Sequence, residues 1–363
     1  MGANGVPPGR TYRAWLGADF APSRVVVLDT SSTSAAPRFN GPKTSVLERG
    51  LDELCVQLSA ELTEREQSLA TRAVAAVRAD SGGSKPIWVL HANDGERYIF
   101  KQCAPNLAAA EETVAELRAL ARRPVIRAKR FKLNQRGAVL DGVLKRYVDL
   151  DASRLLQADT RCWTPMQQTV MLMEHAWEWF VDNLDANPGQ YALLGPMALP
   201  VNIDWDRAFH TRGRARLSRS AKYRAALPNA RTFLYCDYVE GRVELALDEL
   251  VDEARRIERL PISTVARLLE WYACSRYRGA TARRRFVRRV LSRQARVAVE
   301  CERFAQALLA ERHRISTSSG RWVGRIRESQ RRLWRTSQLA VLRLFRGVVG
   351  QVARRALVQL RSR

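Results

Sequence analysis

The feature that most constrains this chain is a change in its hydrophobic period. Residues 46–79 place Leu47, Leu51, Leu54, Leu58 and Leu62 at helical spacing, with no Pro or Gly after Gly50. That pattern predicts one or two amphipathic helices, ending at the breaker cluster Asp80-Ser81-Gly82-Gly83. Residues 87–90 and 97–101 are then short apolar runs with aromatics, separated by Asn93-Asp94-Gly95. This is the pattern of a β-hairpin with a tight turn. Helical spacing returns over 106–122 and is closed by Pro124. Two more strands are predicted over 128–133 and 138–148, around Asn134-Gln135-Arg136-Gly137. A hairpin, a helix and further strands make a small α+β lobe.

Beyond Asp151 the pattern is mainly helical. Thr164 is a good N-cap, with Pro165 at the first helical position and Gln167 three residues after the cap. That helix is expected to run to about Leu184 and to bury Val170, Leu172, Met173, Trp177 and Phe180. Residues 200–205 read as a short strand ending in acid. Helices are predicted over 246–259, 262–277, 283–312 and 321–361, with a break at 316–320. The chain shows no internal repeat. The domains expected are a flexible arm (1–45), an N-terminal helical segment (46–80), a small lobe (81–150), a large helical lobe (151–282) and an Arg-rich helical tail (283–363).

Charge sharpens that division. Of the net +24, residues 283–363 carry +18, from 22 Arg, no Lys and the four acids Glu300, Glu302, Glu311 and Glu328. A basic tail on a near-balanced body suggests an acidic partner: nucleic acid, anionic lipid or an acidic protein. The 54 Arg against 7 Lys in the whole chain also fit a coding bias that places Arg on solvated helix faces. No apolar run approaches the roughly 18–20 residues needed to span a bilayer. The start, MGANGVPPGR, lacks the features of a signal peptide, and Val6 breaks the N-myristoylation pattern. Six scattered cysteines with no CxxC pair argue against a disulfide scaffold or a thiolate zinc site. The expected location is cytoplasmic.

Candidate chemistry sits in the order of several parts. The loop Ser81-Gly82-Gly83-Ser84-Lys85-Pro86 precedes a strand and can offer backbone N–H groups to phosphate, although such turns are commonly plain linkers. Lys101 closes the second hairpin strand in YIFK. Glu111 and Glu112, early in the next helix, can pair with it or simply complement the helix N-terminus. Asn183-Leu184-Asp185-Ala186-Asn187-Pro188-Gly189-Gln190 follows a helix, and Asn202-Ile203-Asp204-Trp205-Asp206 ends a strand. Two acid-bearing loops, one for a base and one for a metal carboxylate, suit phosphoryl transfer. The four histidines are dispersed, and His175, beside Trp177 and Trp179 on a helix, reads as packed. No G-x-S-x-G, Walker A or G-x-G-x-x-G motif occurs.

In these motifs the chain resembles the atypical kinases of the phosphatidylinositol 3-/4-kinase-like and HipA-like group, over roughly residues 80–275. NLDANPGQ stands where that family has its catalytic loop and IDWDRAF where it has its metal loop; GGSKP, YIFK and LKRYVD match the phosphate loop, nucleotide lysine and hinge. The resemblance implies a two-lobed kinase-like fold, with added N- and C-terminal helices, using ATP and Mg²⁺. It implies Asp185 as catalytic base, Lys101 as phosphate-contacting lysine, and Asp204 with Gln190 as metal ligands. The implied nucleotide-binding set is Ser81, Gly82, Gly83, Ser84, Lys101, Glu111 or Glu112, and a hinge near 145–148 with Lys145 and Tyr147. Ala186, Asn187 and Gln190 depart from the family's Arg, His and Asn, and Asp182 competes with Asp185 in register. The acceptor is a hydroxyl on a protein Ser/Thr, a lipid headgroup or a small alcohol. The rival readings are a catalytically weak kinase-like binding module whose tail docks nucleic acid or another acidic partner, and a plain helical interaction protein.

Overall fold

The computed structural model describes residues 43–58, 62–71, 75–79, 85–92, 95–135, 137–148, 155–157, 159–183, 188–209 and 230–317. They belong to one compact unit that begins at Lys43. Residues 1–42 of the expected arm, Ser81–Ser84, Asp185 and the helix over 321–361 lie outside the described residues; the last three residues of that arm, 43–45, are helical. The fold is mixed α+β, with a five-stranded sheet, a two-stranded hairpin and helices on both.

Helices α1 (Lys43–Leu58) and α2 (Glu64–Thr71) form where the leucine spacing predicts. The remainder of that stretch differs: Ala75–Ala79 is a strand, β1, not helix, paired antiparallel with β2 (Ile87–His91) from Ala75–His91 to Ala79–Ile87. This five-residue segment pairs along the sheet edge beside β2, and that tertiary pairing overrides the helical preference of its alanines. β3 (Arg97–Gln102), α3 (Pro105–Leu120), β4 (Ala128–Gln135) and β5 (Ala138–Arg146) follow as expected within a few residues. The sheet order is β1-β2-β3-β5-β4, antiparallel at every pair.

Strand alternation splits the side chains between two faces. Tyr98, Phe100 and Leu144 join Leu90 and Leu133 on one face, covered by Leu62 and Ala70. On the other, Val143 and Ala128 pack against Ala108 and Ala115 of α3. Lys101 and Lys145 belong to this second face, since Lys101 pairs with Val143 and Ile99 with Lys145. Gly142 permits the close approach of β5 to β3: a Cβ there would lie 2.6 Å from the Phe100 ring and press on the Lys101 carbonyl. Gly142→Ala is therefore expected to cost about 1–3 kcal/mol, as overpacking does. A thermal melt checks it; an unchanged Tm would contradict the close approach.

Helix α4 (Pro165–Val181) carries the predicted capping box: Thr164 Oγ1 accepts from Gln167 N at 3.2 Å, and Gln167 Oε1 accepts from Thr164 N at 2.9 Å. It ends at Val181, earlier than expected, because Asp182 turns left-handed (φ 55°). Its apolar residues Val170 and Met173 meet Leu47, Leu51 and Leu54 of α1, together with the hairpin β6 (Tyr191–Leu194) and β7 (Leu199–Asn202). His175 is packed as expected, its Nδ1 hydrogen-bonded to the Tyr235 hydroxyl.

Sequence reading missed β6 and helix α5 (Ala230–Val239), while α6 (Leu247–Glu258) and α7 (Ile262–Arg276) lie close to expectation. The single helix predicted from 283 is two, α8 (Ala280–Gln294) and α9 (Val297–Thr317). Both pack on the body. Phe286, Val290, Leu291, Val297, Phe304 and Leu308 are all buried in the body. The break at Ala295–Arg296 lets both helices turn an apolar face inward, which one straight rod could not do. No described helix is long and apolar enough to cross a membrane.

Candidate functional site

The second face of the sheet is open at one end, where β3, α3 and the segment after β7 meet. Lys101 is buried there, its Nζ 2.6 Å from Asp204 Oδ1, 2.6 Å from Asp206 Oδ2 and 3.8 Å from Glu111 Oε2. Lys85 pairs with the same Asp206 oxygen. Lys145 pairs with Glu111 and donates to the Ile203 carbonyl at 2.8 Å. Three lysines and three carboxylates thus interleave.

Local geometry holds each one. Glu111 lies within one turn of Ala108 and Ala115 on α3, and its carboxylate meets Lys145 and, at 3.8 Å, Lys101. Glu112 is about 100° further round the helix, and binds Arg130 at 2.7 Å instead. Asp204 N donates to Asn202 Oδ1 (2.8 Å) and Asp206 N to Asp204 Oδ1 (3.1 Å), which fixes the loop after β7. That loop closes at Phe209, whose N–H donates to the Val181 carbonyl at 2.6 Å. Phe209 and Asp182 both have positive φ, 61° and 55°. A non-glycine residue there costs on the order of 1–3 kcal/mol and persists where the surroundings over-determine it.

Burial alone would lower the Lys101 pKa, but the carboxylates of Glu111, Asp204 and Asp206 outweigh it and hold the ammonium well above the usual lysine range. Burial would likewise raise Asp206; Lys101 and Lys85 override it and keep that carboxyl depressed. Both groups are therefore charged at neutral pH. Neighbouring Cys103 is pushed up to about 12, mainly by burial and then by Glu111, so its thiol is protonated and no nucleophile.

Of the residues expected from sequence, Lys101, Glu111, Lys145 and Asp204 come together. Glu112 does not. Tyr147 stands apart, its ring under the Arg97 guanidinium at 4.1 Å. Lys145 was expected at a hinge strand's nucleotide edge; its side chain instead points into the acid cluster. Asp182 is buried, with Oδ2 3.9 Å from Arg293. Gln190 lies in a single 3₁₀ turn (Pro188–Gln190), its carbonyl accepting from Ile203 N at 2.8 Å.

Two members escaped the sequence reading, Lys85 and Asp206. The signal available was the Asp-x-Asp spacing at the end of a strand, which in irregular backbone can return both side chains to one side. Glu111, Asp204 and Asp206 each offer an oxygen within 4.8 Å of the others. The buried Gln190 Oε1 has no hydrogen-bond partner among the described residues. An all-oxygen donor set of this kind fits a hard divalent cation such as Mg²⁺.

No family model matches the chain, and a comparison with curated proteins finds no match. Among solved structures, the crystal structure of a Helicobacter pylori proinflammatory kinase, CtkA, is similar at 10% identity. The match covers 62% of this chain and 93% of that one, with a TM-score of 0.39. A likeness of that size is distant and carries no argument about chemistry.

Proposed function

We propose that this chain is an ATP- and Mg²⁺-dependent phosphotransferase with a kinase-like, two-lobed arrangement, acting on a hydroxyl acceptor. One observation carries the reading: a strand lysine, a helix glutamate and a strand-end Asp-x-Asp converge on one buried cluster. Phosphoryl transfer is mostly positioning and charge neutralisation, and these are the groups it needs. Lys101 and Lys85, freed from the aspartates as phosphates enter, hold the phosphate oxygens. Asp204 and Asp206, with Gln190, would hold Mg²⁺, which supplies neutralisation of charge on the transferred group. Asp185 takes the acceptor proton; the burial of Asp182 against Arg293 supports Asp185 over it. Ser81–Ser84 are assigned to the phosphates by sequence alone.

Lys145 acts as a positioning residue. It ties Glu111 on α3 to the Ile203 carbonyl, immediately before Asp204, and so keeps helix and loop in register. Lys145→Met is expected to lower turnover about 100-fold, the scale of a displacement near 1 Å in an active site. The KM for ATP should change much less. A KM effect alone would assign Lys145 to nucleotide contact.

The test of the whole reading is a thermal shift of the full chain with ATP, with Mg²⁺ and with both, followed by a phosphate-release assay. Stabilisation that needs both ligands, together with release, is expected. Stabilisation without release leaves the binding-module reading, and no stabilisation overturns both.

A further inference from the structure

Arginines are common in this chain, and most of those in the packed body are neutralised. Arg118 is paired with Glu174, Arg123 with Glu253, Arg127 with Glu116, Arg130 with Glu112, Arg146 with Glu66 and Arg255 with Glu302. Arg276, Arg278, Arg284, Arg285, Arg288, Arg289 and Arg296 are different. None makes an ion pair among the described residues, and all but the half-buried Arg289 are exposed. No acid lies between Glu270 and Glu300 to balance them. Arg49, Arg122, Arg259 and Arg267 are also exposed and without an ion pair among the described residues, but they are scattered, whereas these seven fall within 21 residues of α8 and its approach.

α8 also packs against the segment that closes the Asp204–Asp206 loop and against the end of α4. Phe286 packs edge-to-face on Phe209, which closes the Asp204–Asp206 loop, with ring centroids 5.5 Å apart. Arg293 is buried and donates to the Trp179 and Phe180 carbonyls at 3.0 and 2.8 Å, capping α4 where the loop to Gln190 departs. Seven residues apart, these two share one line along the helix. Val287, Leu291 and Gln294 lie to one side of that line, turned into the body; Gln294 Nε2 reaches the Leu260 carbonyl at 2.9 Å. To the other side, about 60–100° round the helix, lie Arg289 and Arg285, and Arg296 follows in the turn just beyond the helix end at Gln294. From Arg285 to the helix end the row runs about 14 Å, the length of roughly four residues of extended chain.

We propose that the Arg285–Arg289–Arg296 row docks the acceptor, and that the acceptor is a protein segment rich in Asp and Glu around its Ser or Thr. The inference rests on the phosphotransfer reading of the neighbouring site. Guanidinium groups bind carboxylates bidentately, and a row beside the reacting loops positions the hydroxyl as well as attracting its chain. A lipid surface would need an apolar face and single-stranded nucleic acid would need stacking aromatics. The outer face of α8 exposes neither.

The test uses the full chain and two 12-residue peptides with a central serine, one flanked by Asp and Glu, the other by Lys. Binding is read by fluorescence anisotropy and transfer by radiolabelled ATP. Wild type is expected to bind and phosphorylate the acidic peptide at least 10-fold better. Arg285→Gln/Arg289→Gln/Arg296→Gln should lose that preference, with the Mg²⁺–ATP shift in Tm retained. Arg284→Gln/Arg288→Gln, on the far edge of the exposed face, should keep it to within about 3-fold. Equal use of both peptides, or a preference that survives the triple substitution, overturns the docking proposal. So does tighter binding through the same row to duplex DNA or phosphatidylserine vesicles. Acidic-peptide binding that needs the row, with no phosphate transferred, upholds docking and overturns phosphotransfer; transfer indifferent to acidic context does the reverse.

Discussion

Asp204→Asn is expected to abolish the Mg²⁺-dependent part of ATP binding and to lower turnover by at least about 10²–10³-fold, the scale of losing one preorganised electrostatic group. Asp204 is the most accessible of the three carboxylates, 30% exposed against 1% for Glu111 and 2% for Asp206. Without it, Lys101 still has Asp206 and Glu111 as partners, so the fold loses little. The variant therefore separates binding from folding. Asp206→Asn should act on both, because that carboxylate is buried between Lys85 and Lys101. The check is the difference in Tm with Mg²⁺–ATP and without it. A difference equal to that of wild type would remove Asp204 from the site.

The largest effect on stability is expected at Glu253. Its fully buried carboxylate accepts from Arg123 Nε at 2.9–3.0 Å and from Trp177 Nε1 at 2.6 Å, with Arg123 Nη2 also paired to it. Arg123 in turn reaches Glu48 of α1 at 3.2 Å. One carboxylate thus joins α6, α4, the segment after α3 and α1. Glu253→Ala leaves a buried guanidinium with only its outer partner, a loss of about 3–5 kcal/mol on the scale of broken buried pairs. At roughly 2–4 °C per kcal/mol for larger domains, Tm should fall by on the order of 10 °C.

The acid side gives an independent reading of the same pair. Burial would raise the Glu253 pKa, but Arg123 outweighs it and holds the carboxyl below its ordinary value. A depressed folded-state pKa contributes stability that is fully present above the unfolded carboxylate value, near 4.3, and is lost as pH falls below it. Wild type should therefore lose stability below about pH 4 more steeply than Glu253→Gln, which has no carboxylate to protonate. Parallel acid limbs would show that the pair contributes nothing to the pH dependence.

Much of this architecture is legible along the chain. The change from helical spacing to alternation and back marks the sheet between helices, because burying one face of each element imposes its own period. Thr164, Pro165 and Gln167 determine the start of α4 through contacts within one turn. Lys101 and Asp204 could be singled out because each stands at the end of a strand, where a polar side chain meets an opening. What the sequence left open depended on orientation. Glu111 and Glu112 are neighbours of the same type, set along the chain between the sheet-packed Ala108 and Ala115, and only how β3 and β5 lie across α3 decides which one meets the lysines. Lys145 enters the cluster because β5 lies beside β3 in a register that turns it toward α3. Asp206 and Lys85 meet across 121 residues, a pairing that no local period encodes. The same holds for α8 and α9: composition makes them basic, but the body they pack against decides which arginines are buried and which are left facing water. Local physics sets the elements, since their hydrogen bonds and caps close within a few residues; the site and its charge pattern are set by long-range packing, which fixes how each element is rotated about its own axis.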